Sequence, residues 1–364
     1  MVESGFAPVE EAFAANFDDG ELGASCTVIV DGRVVVDVHG GWADVARTRP
    51  WQPDTLCNAY SVGKPIVALS VLQLVADGRV DLDAGADRYW PELRAGQEGA
   101  TVRDTLCHRA GVPAIRQPLT DDDLWQWDRM AAALAATEPW WVPGAAHAYH
   151  TNTYGFLAGE LSRRVTGDLP GAWLRRLGVD AHWGVADADL GRCADVAWNG
   201  PSPPSDPLVL AGLPDEQRMV FTGYGNPPGF SSNGVVNTRQ WRQCQVPSTN
   251  LHATARGIAD LYAGLLAGTL LDPAVLAEAT STQSEGWCPV LEREVSFGLG
   301  FQPTRPDRPF GPNPGSYGHF GTGGAVGFAD PVAGVAFGYV MNDVKPRWQS
   351  SRNRRLIDAL YACL

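Results

Sequence analysis

Ser61 and Lys64 stand three residues apart in Asn58-Ala59-Tyr60-Ser61-Val62-Gly63-Lys64-Pro65, directly ahead of an unbroken apolar run from Ile66 to Val75. The run predicts a buried helix that Asp77-Gly78 stops. Pro65 is tolerated only near a helix start, so the first turn falls around Ser61 to Pro65 and puts Ser61 and Lys64 on one face. A serine hydroxyl is a weak nucleophile until a neighbouring base takes its proton, and a lysine amine can do so when burial lowers its pKa. A serine at a helix N-terminus also keeps a backbone N–H free to face a developing oxyanion. The competing reading makes Ser61 a helix cap and Lys64 a solvated surface charge. Composition favours chemistry: among 28 Lys plus Arg, only Lys64 and Lys345 are lysines. Arginine stays protonated and cannot serve as a base, so a lysine at the mouth of an apolar helix marks a tunable amine.

Two further stretches carry polar groups beside turn signals. In Ala148-Tyr149-His150-Thr151-Asn152-Thr153-Tyr154-Gly155, Asn152 reads as the N-cap of a helix with Tyr154, Leu157, Leu161 and Val165 on one side, ending at Gly167. Tyr149 then sits on a loop just before a helix, where its phenol can face a cleft; the alternative is a half-buried aromatic with a satisfied hydroxyl. In Gly318-His319-Phe320-Gly321-Thr322-Gly323-Gly324, a strand runs into a turn, and its glycines permit close backbone approach by a ligand. The alternative there is a Gly-rich hairpin with an incidental histidine. This spacing is not Gly-x-Gly-x-x-Gly and no helical pattern follows, which excludes a dinucleotide fingerprint. Ala59-Tyr60-Ser61-Val62-Gly63 lacks the first glycine of the Gly-x-Ser-x-Gly elbow, which argues against an α/β-hydrolase. His108, beside a helix stop in Leu106-Cys107-His108-Arg109-Ala110-Gly111-Val112-Pro113, reads as structural. His147 and His150 lack a third ligand at recognisable spacing, so no metal is expected, nor any other cofactor. Trp125, Trp127, Trp140 and Trp141 are candidates to wall an apolar acyl pocket, with core packing as the alternative.

Bulk properties narrow the partners. A chain of 364 residues with 45% apolar and 19% charged residues is globular in composition and large enough for one large or two interlocked subdomains. Its formal charge of -13 argues against nucleic acid or an anionic membrane as partner. No apolar stretch reaches spanning length, and Met1-Val2-Glu3-Ser4-Gly5 has neither basic nor apolar signal character. Seven scattered cysteines without Cys-x-x-Cys read as reduced thiols, and a cytoplasmic location is expected.

A first helix is predicted over Pro8 to Phe17, then strands over Cys26 to Val30 and Arg33 to Val38 joined by Asp31-Gly32, a hairpin signal. A lone hairpin is unstable, and its partners are found near the other end: Ser296 to Phe301, Tyr317 to Gly321, Val326 to Ala329 and Val335 to Met341. The expectation is one antiparallel sheet made from both chain ends, with a helix over Asn353 to Leu364 packed on it. The fold class is therefore α+β. An α/β subdomain of about 1–57 and 251–364 is expected beside a mostly helical subdomain of about 58–250. Residues 201–207 read as a Pro/Ser surface loop.

Ser61-Val62-Gly63-Lys64, Tyr149 and His319-Phe320-Gly321, in this order, resemble the motifs of the serine β-lactamase and penicillin-binding-protein superfamily. Supporting text runs along nearly the whole chain, from Val30-Asp31-Gly32-Arg33 through Thr254-Ala255-Arg256 to Gly327-Phe328-Ala329-Asp330-Pro331. The pattern is most similar to the class C β-lactamase-like esterases called family VIII carboxylesterases. The resemblance implies a β-lactamase/transpeptidase-like fold forming a single domain over 1–364. It implies Ser61 as acylated nucleophile, Lys64 as its base and Tyr149 as proton shuttle. His319 and Gly321 would lie on the substrate-aligning strand, with the backbone N–H groups of Ser61 and Thr322 as oxyanion hole. Two departures stand out: Thr151 replaces the asparagine of the lactamase Tyr-x-Asn, and a His319 cation with Phe320 replaces the Lys-Thr of Lys-Thr-Gly. Both weaken recognition of a β-lactam. The implied function is a serine carboxylesterase or amidase for a small-molecule ester or amide. The alternatives are an acyltransferase using the same acyl-enzyme and, ranked below it, a β-lactamase or DD-peptidase and a non-catalytic binding protein. The oligomeric state is not legible.

Overall fold

The computed structural model describes residues 1–198, 210–345 and 350–364. The expected surface loop at 201–207 lies outside the described residues. Both chain ends build one six-stranded antiparallel sheet, in the order Arg33–Gly41, Gly23–Val30, Val335–Met341, Val326–Asp330, Tyr317–Phe320, Gln302–Pro303. Asp31 and Gly32 both take positive φ, 49° and 76°, the conformation that a two-residue hairpin turn requires. Adjacent residues of a strand face opposite sides of the sheet. Gly338 faces the Ala255–Leu266 helix so closely that a Cβ there would lie 2.2 Å from the Ala255 carbonyl oxygen. Tyr339 faces the other side, where its hydroxyl donates to Glu21 at 2.5 Å and Arg352 donates to the same carboxylate at 3.0 Å. Arg352 belongs to the C-terminal helix, Ser351–Tyr361, which packs on the first helix, Ala7–Asp18. Helices thus cover both faces of the sheet.

One expected strand is elsewhere. Arg293–Phe297 pairs with Ser284–Cys288 as a separate hairpin, and the expected run to Phe301 is broken after Phe297. Gly300 explains the break: at φ +88° it donates its N–H to the Leu106 carbonyl at 2.9 Å, where a Cβ would lie 2.4 Å from that of Ala68. The chain rejoins the main sheet only as the short edge strand Gln302–Pro303.

The apolar run forms the Gly63–Ala76 helix, preceded by a 3-10 turn over Tyr60–Val62 that holds Ser61. The helix is apolar around its circumference and buried on almost every side, as such a helix must be. Leu69 and Leu72 are buried in it, and truncating such side chains to alanine costs about 2–5 kcal/mol each. It packs against Thr153–Thr166, which ends at Gly167 with φ 84°, the left-handed stop its sequence predicts. The start of the turn is tied to a second, three-stranded sheet. Cys57–Asn58 pairs with His252–Ala253, and the Ala59 N–H donates to the Leu251 carbonyl at 2.7 Å.

Candidate active site

Three stretches of chain shape the backbone around Ser61. The first is its own turn, in which Tyr60 holds φ +52°, a left-handed conformation that costs a non-glycine residue about 1–3 kcal/mol and persists only where packing enforces it. Tyr60 is fully buried and accepts a hydrogen bond from Ser232 at 3.5 Å through its hydroxyl. The second is the strand end at Gly321, where a Cβ would lie 2.3 Å from the Ala59 carbonyl oxygen. Only a glycine lets this strand press against the turn. The third is Pro247-Ser248, so close to both helix starts that a Cβ on Gly63 would meet the Pro247 oxygen at 2.5 Å and one on Gly155 the Ser248 nitrogen at 2.4 Å.

Lys64 is fully buried, and its Nζ contacts Ser61 Oγ at 3.2 Å, the Thr151 carbonyl at 2.6 Å and the Ser248 carbonyl at 3.2 Å. No carboxylate among the described residues pairs with it. Two carbonyl acceptors favour the ammonium form, but burial without a counter-charge outweighs them and holds the amine well below its ordinary pKa. A neutral amine has two N–H donors and one lone pair. In that form its donors would match the Thr151 and Ser248 carbonyls, and its lone pair would be free to accept from the Ser61 hydroxyl.

Tyr149 is wholly buried, and its hydroxyl interacts with the Ser61 side chain. Lys64 Nζ lies 4.6 Å from the centre of its ring. Burial pushes the phenol well above its ordinary pKa, against the pull of Ser61, so it rests protonated. His319 stacks on Tyr149 with ring centres 6.1 Å apart and holds the Phe320 carbonyl through Nδ1 at 2.6 Å. The expectation of a cation on this strand fails: burial, aided by Lys64, pushes His319 down to about 3, so the imidazole is neutral. Phe320 turns away from Ser61's turn to stack on Phe310, ring centres 4.7 Å apart. Gly321 and Thr322 follow, with Thr322 partly exposed at the strand's end.

Asn152 occupies the N-cap position without capping. Its side chain donates to the Gly223 carbonyl and Ser231 Oγ, each at 2.8 Å, and accepts from Thr249 Oγ1 at 2.7 Å. Ser248 does the capping instead, its Oγ accepting the Gly155 N–H at 2.5 Å. Ser248 is the residue sequence reasoning missed. Pro247-Ser248-Thr249-Asn250 reads as an ordinary turn, and its one pointer is the need of a buried lysine for acceptors. Of the four tryptophans, Trp127 donates to Glu160 at 2.6 Å and packs with Trp125 on the main core. Trp140 and Trp141 lie in the cluster that contains Tyr149, and Trp140 also lines an open cavity of about 240 Å³ with Arg116 and Arg218. His147 and His150 do not converge as ligands, because His150 spends both ring nitrogens on the backbone. Among the described residues no three His, Cys, Asp or Glu side chains gather as a metal site, and no helix is long and apolar enough to cross a membrane. All seven cysteines are free thiols.

Known proteins resemble this chain over nearly its whole length. "Esterase/beta-lactamase LipL" of Mycobacterium tuberculosis (strain ATCC 25618 / H37Rv) is 32% identical over 364 aligned residues, covering 93% of this chain and 81% of that protein. The crystal structure of a family VIII carboxylesterase superposes with a TM-score of 0.90 at 34% identity, over 100% of this chain and 99% of the other. A penicillin-binding-protein homolog from Caulobacter crescentus does so with a TM-score of 0.90 at 36% identity, again over 100% and 99%. Residues 9–362 match the family described as Beta-lactamase. The chain therefore has the β-lactamase/transpeptidase-like fold and belongs to the beta-lactamase family, as a serine hydrolase of that superfamily.

Proposed function

We propose that the protein is a carboxylesterase that works through an acyl-enzyme on Ser61. The observation that carries this is the environment of Lys64: a buried amine without a counter-charge, its pKa held down by burial, within hydrogen-bond reach of Ser61 Oγ and of two main-chain carbonyls. In the proposed reaction Lys64 takes the Ser61 proton as Oγ attacks the ester carbonyl carbon. The oxyanion forms against the Ser61 and Thr322 N–H groups. As the ester C–O bond breaks, Tyr149 gives its proton to the leaving alkoxide and regains one from the Lys64 ammonium. Water then attacks the acyl carbonyl, passing its proton back through the same pair, and the acid leaves with Ser61 restored. Neutral His319 supplies no fixed cation for a β-lactam carboxylate, which favours esters over β-lactams.

Intact mass, taken seconds after mixing with p-nitrophenyl butyrate, tests the reading. A butyryl adduct on wild type and none on Ser61→Ala is the expected result. Wild-type rates of ester hydrolysis in Ser61→Ala would refute it.

A further inference from the structure

His108, which the sequence leaves as structural, and His150, which it pairs with His147 only to reject a metal site, share one task around Tyr149. The His150 N–H donates to His108 Nδ1 at 3.1 Å, and His150 Nδ1 donates to the Ala148 carbonyl at 2.7 Å. The Val112 N–H donates to His150 Nε2 at 3.2 Å, so both ring nitrogens of His150 have fixed roles and its proton sits on Nδ1. The Ala148 N–H donates to the His108 carbonyl at 3.3 Å. Tyr149, between the two clamped residues, donates its own N–H to Cys288 Sγ at 3.3 Å. The four residues Ala148 to Thr151 are thus held on both sides of the phenol. They carry both the Tyr149 hydroxyl and the Thr151 carbonyl, the shortest contact of Lys64.

His108 pays for its place in backbone strain, with φ +68°. Its ring fills an aromatic cage, its centre 5.0 Å from Tyr149, 4.8 Å from Tyr154 and 4.4 Å from Phe297. An apolar ring would fill this space equally well, but it would leave the buried His150 N–H without an acceptor. The charged or titratable groups facing His108 are His150, Lys64, His319 and His147, with Tyr149 and Tyr154 in ring contact, and burial keeps the imidazole neutral among them. A neutral ring is required, because protonated Nδ1 cannot accept.

We propose that His108 and His150 are positioning residues, a neutral imidazole pair that sets Tyr149 against Ser61 and the Thr151 carbonyl against Lys64. Neither touches substrate. The proposal rests on Ser61 chemistry as set out above.

The test compares His108→Asn, which keeps an acceptor near the place of Nδ1 and tolerates a left-handed φ, with His108→Phe, which fills the cage without one. Each variant is scored per fluorophosphonate-labelled Ser61, so that unfolded protein drops out. For His108→Phe the expected result is a fall in kcat of about tenfold or more with KM within about threefold, and a displaced pH inflection of kcat. His108→Asn should recover most of that loss and the wild-type inflection. His150→Asn, which keeps a donor for the Ala148 carbonyl but loses the Val112 acceptor, stands in if the Phe variant does not fold, and the same displaced inflection is expected. Equal kcat per labelled site in wild type and variants, with an unmoved inflection, would overturn the proposal. Failure of the Ser61 reading is seen separately, as absence of labelling in wild type or activity in Ser61→Ala.

Discussion

Gly321→Ala probes how the sheet presses on the nucleophile's turn. The new Cβ would lie 2.3 Å from the Ala59 carbonyl oxygen, about 1.1 Å inside the 3.4 Å at which ordinary contact begins. Neither side yields easily. The Ala59 carbonyl accepts the Val62 N–H at 3.3 Å, and the Ala59 N–H is held by Leu251 at 2.7 Å. Gly321 is itself fixed through its N–H to the Ala325 carbonyl at 2.7 Å. Relief by a shift of about 1 Å would displace the Thr322 N–H of the proposed oxyanion hole, and a displacement of that size at a reacting centre costs about 10²-fold in rate. The overpacking itself costs about 1–3 kcal/mol, at roughly 1.3 °C in Tm per kcal/mol for a chain of this length. The assay is kcat/KM for p-nitrophenyl butyrate beside Tm, with Gly191→Ala as control because no atom lies within 4 Å of its Cβ position. A folded Gly321→Ala enzyme within about threefold of wild type would refute the coupling of strand to turn.

Lys64→Met should lower kcat/KM by about 10²–10⁴-fold, because the site then has no base for the Ser61 proton, and should lower Tm as well, because the buried Thr151 and Ser248 carbonyls lose their donor; ester kinetics within about tenfold of wild type would contradict Lys64 as the base. In wild type the base must be neutral, so kcat/KM should rise with pH through an inflection well below 10.5, measured in a pH series with the ester. Tyr149→Phe should lose about 10²-fold in kcat/KM with a near-normal Tm, read by kinetics and thermal melting. Burial raises Glu21 from 4.5 to about 7, against Arg352 and Tyr339. A raised folded pKa means tighter proton binding in the native state, so the stability this group contributes below pH 4.5 is lost as pH rises to about 7. Glu21→Gln should flatten that decline in melts taken from pH 4.5 to 7.5.

Most strands were legible because each shows alternation or a β-branched run between turn residues, and Val335 to Met341 matches its observed bounds. The run to Phe301 misled because alternation identifies a strand without naming its partner. Arg293–Phe297 pairs backward with Ser284–Cys288, and the decisive residue, Gly300, acts through a contact with Leu106 far away in sequence. Ser61 and Lys64 were legible for a chemical reason: scarcity of lysine leaves a residue type that a solvated charge does not require.

The groups that tune Lys64 were not legible, and the cause is physical. Two of its three contacts are main-chain carbonyls, of Thr151 and Ser248, and every residue has a carbonyl. Their direction comes from tertiary placement: the imidazoles under the Ala148–Thr151 stretch and the close pass of Pro247-Ser248 over Gly63 and Gly155. His319 fails in the same way. Its type suggests a cation, yet its charge follows from complete burial beside Lys64, a property of the folded site. Side-chain identity therefore marks which atoms can react, while the protonation states that let them react are written in packing. Replacing Ser248 separates the two. Ser248→Ala keeps the carbonyl that Lys64 uses but deletes the hydroxyl that caps Gly155. It should cost about 1 kcal/mol of stability and leave the pH inflection of kcat/KM in place. An inflection that moved with Ser248→Ala would mean that the hydroxyl, and not the backbone, sets the charge of Lys64.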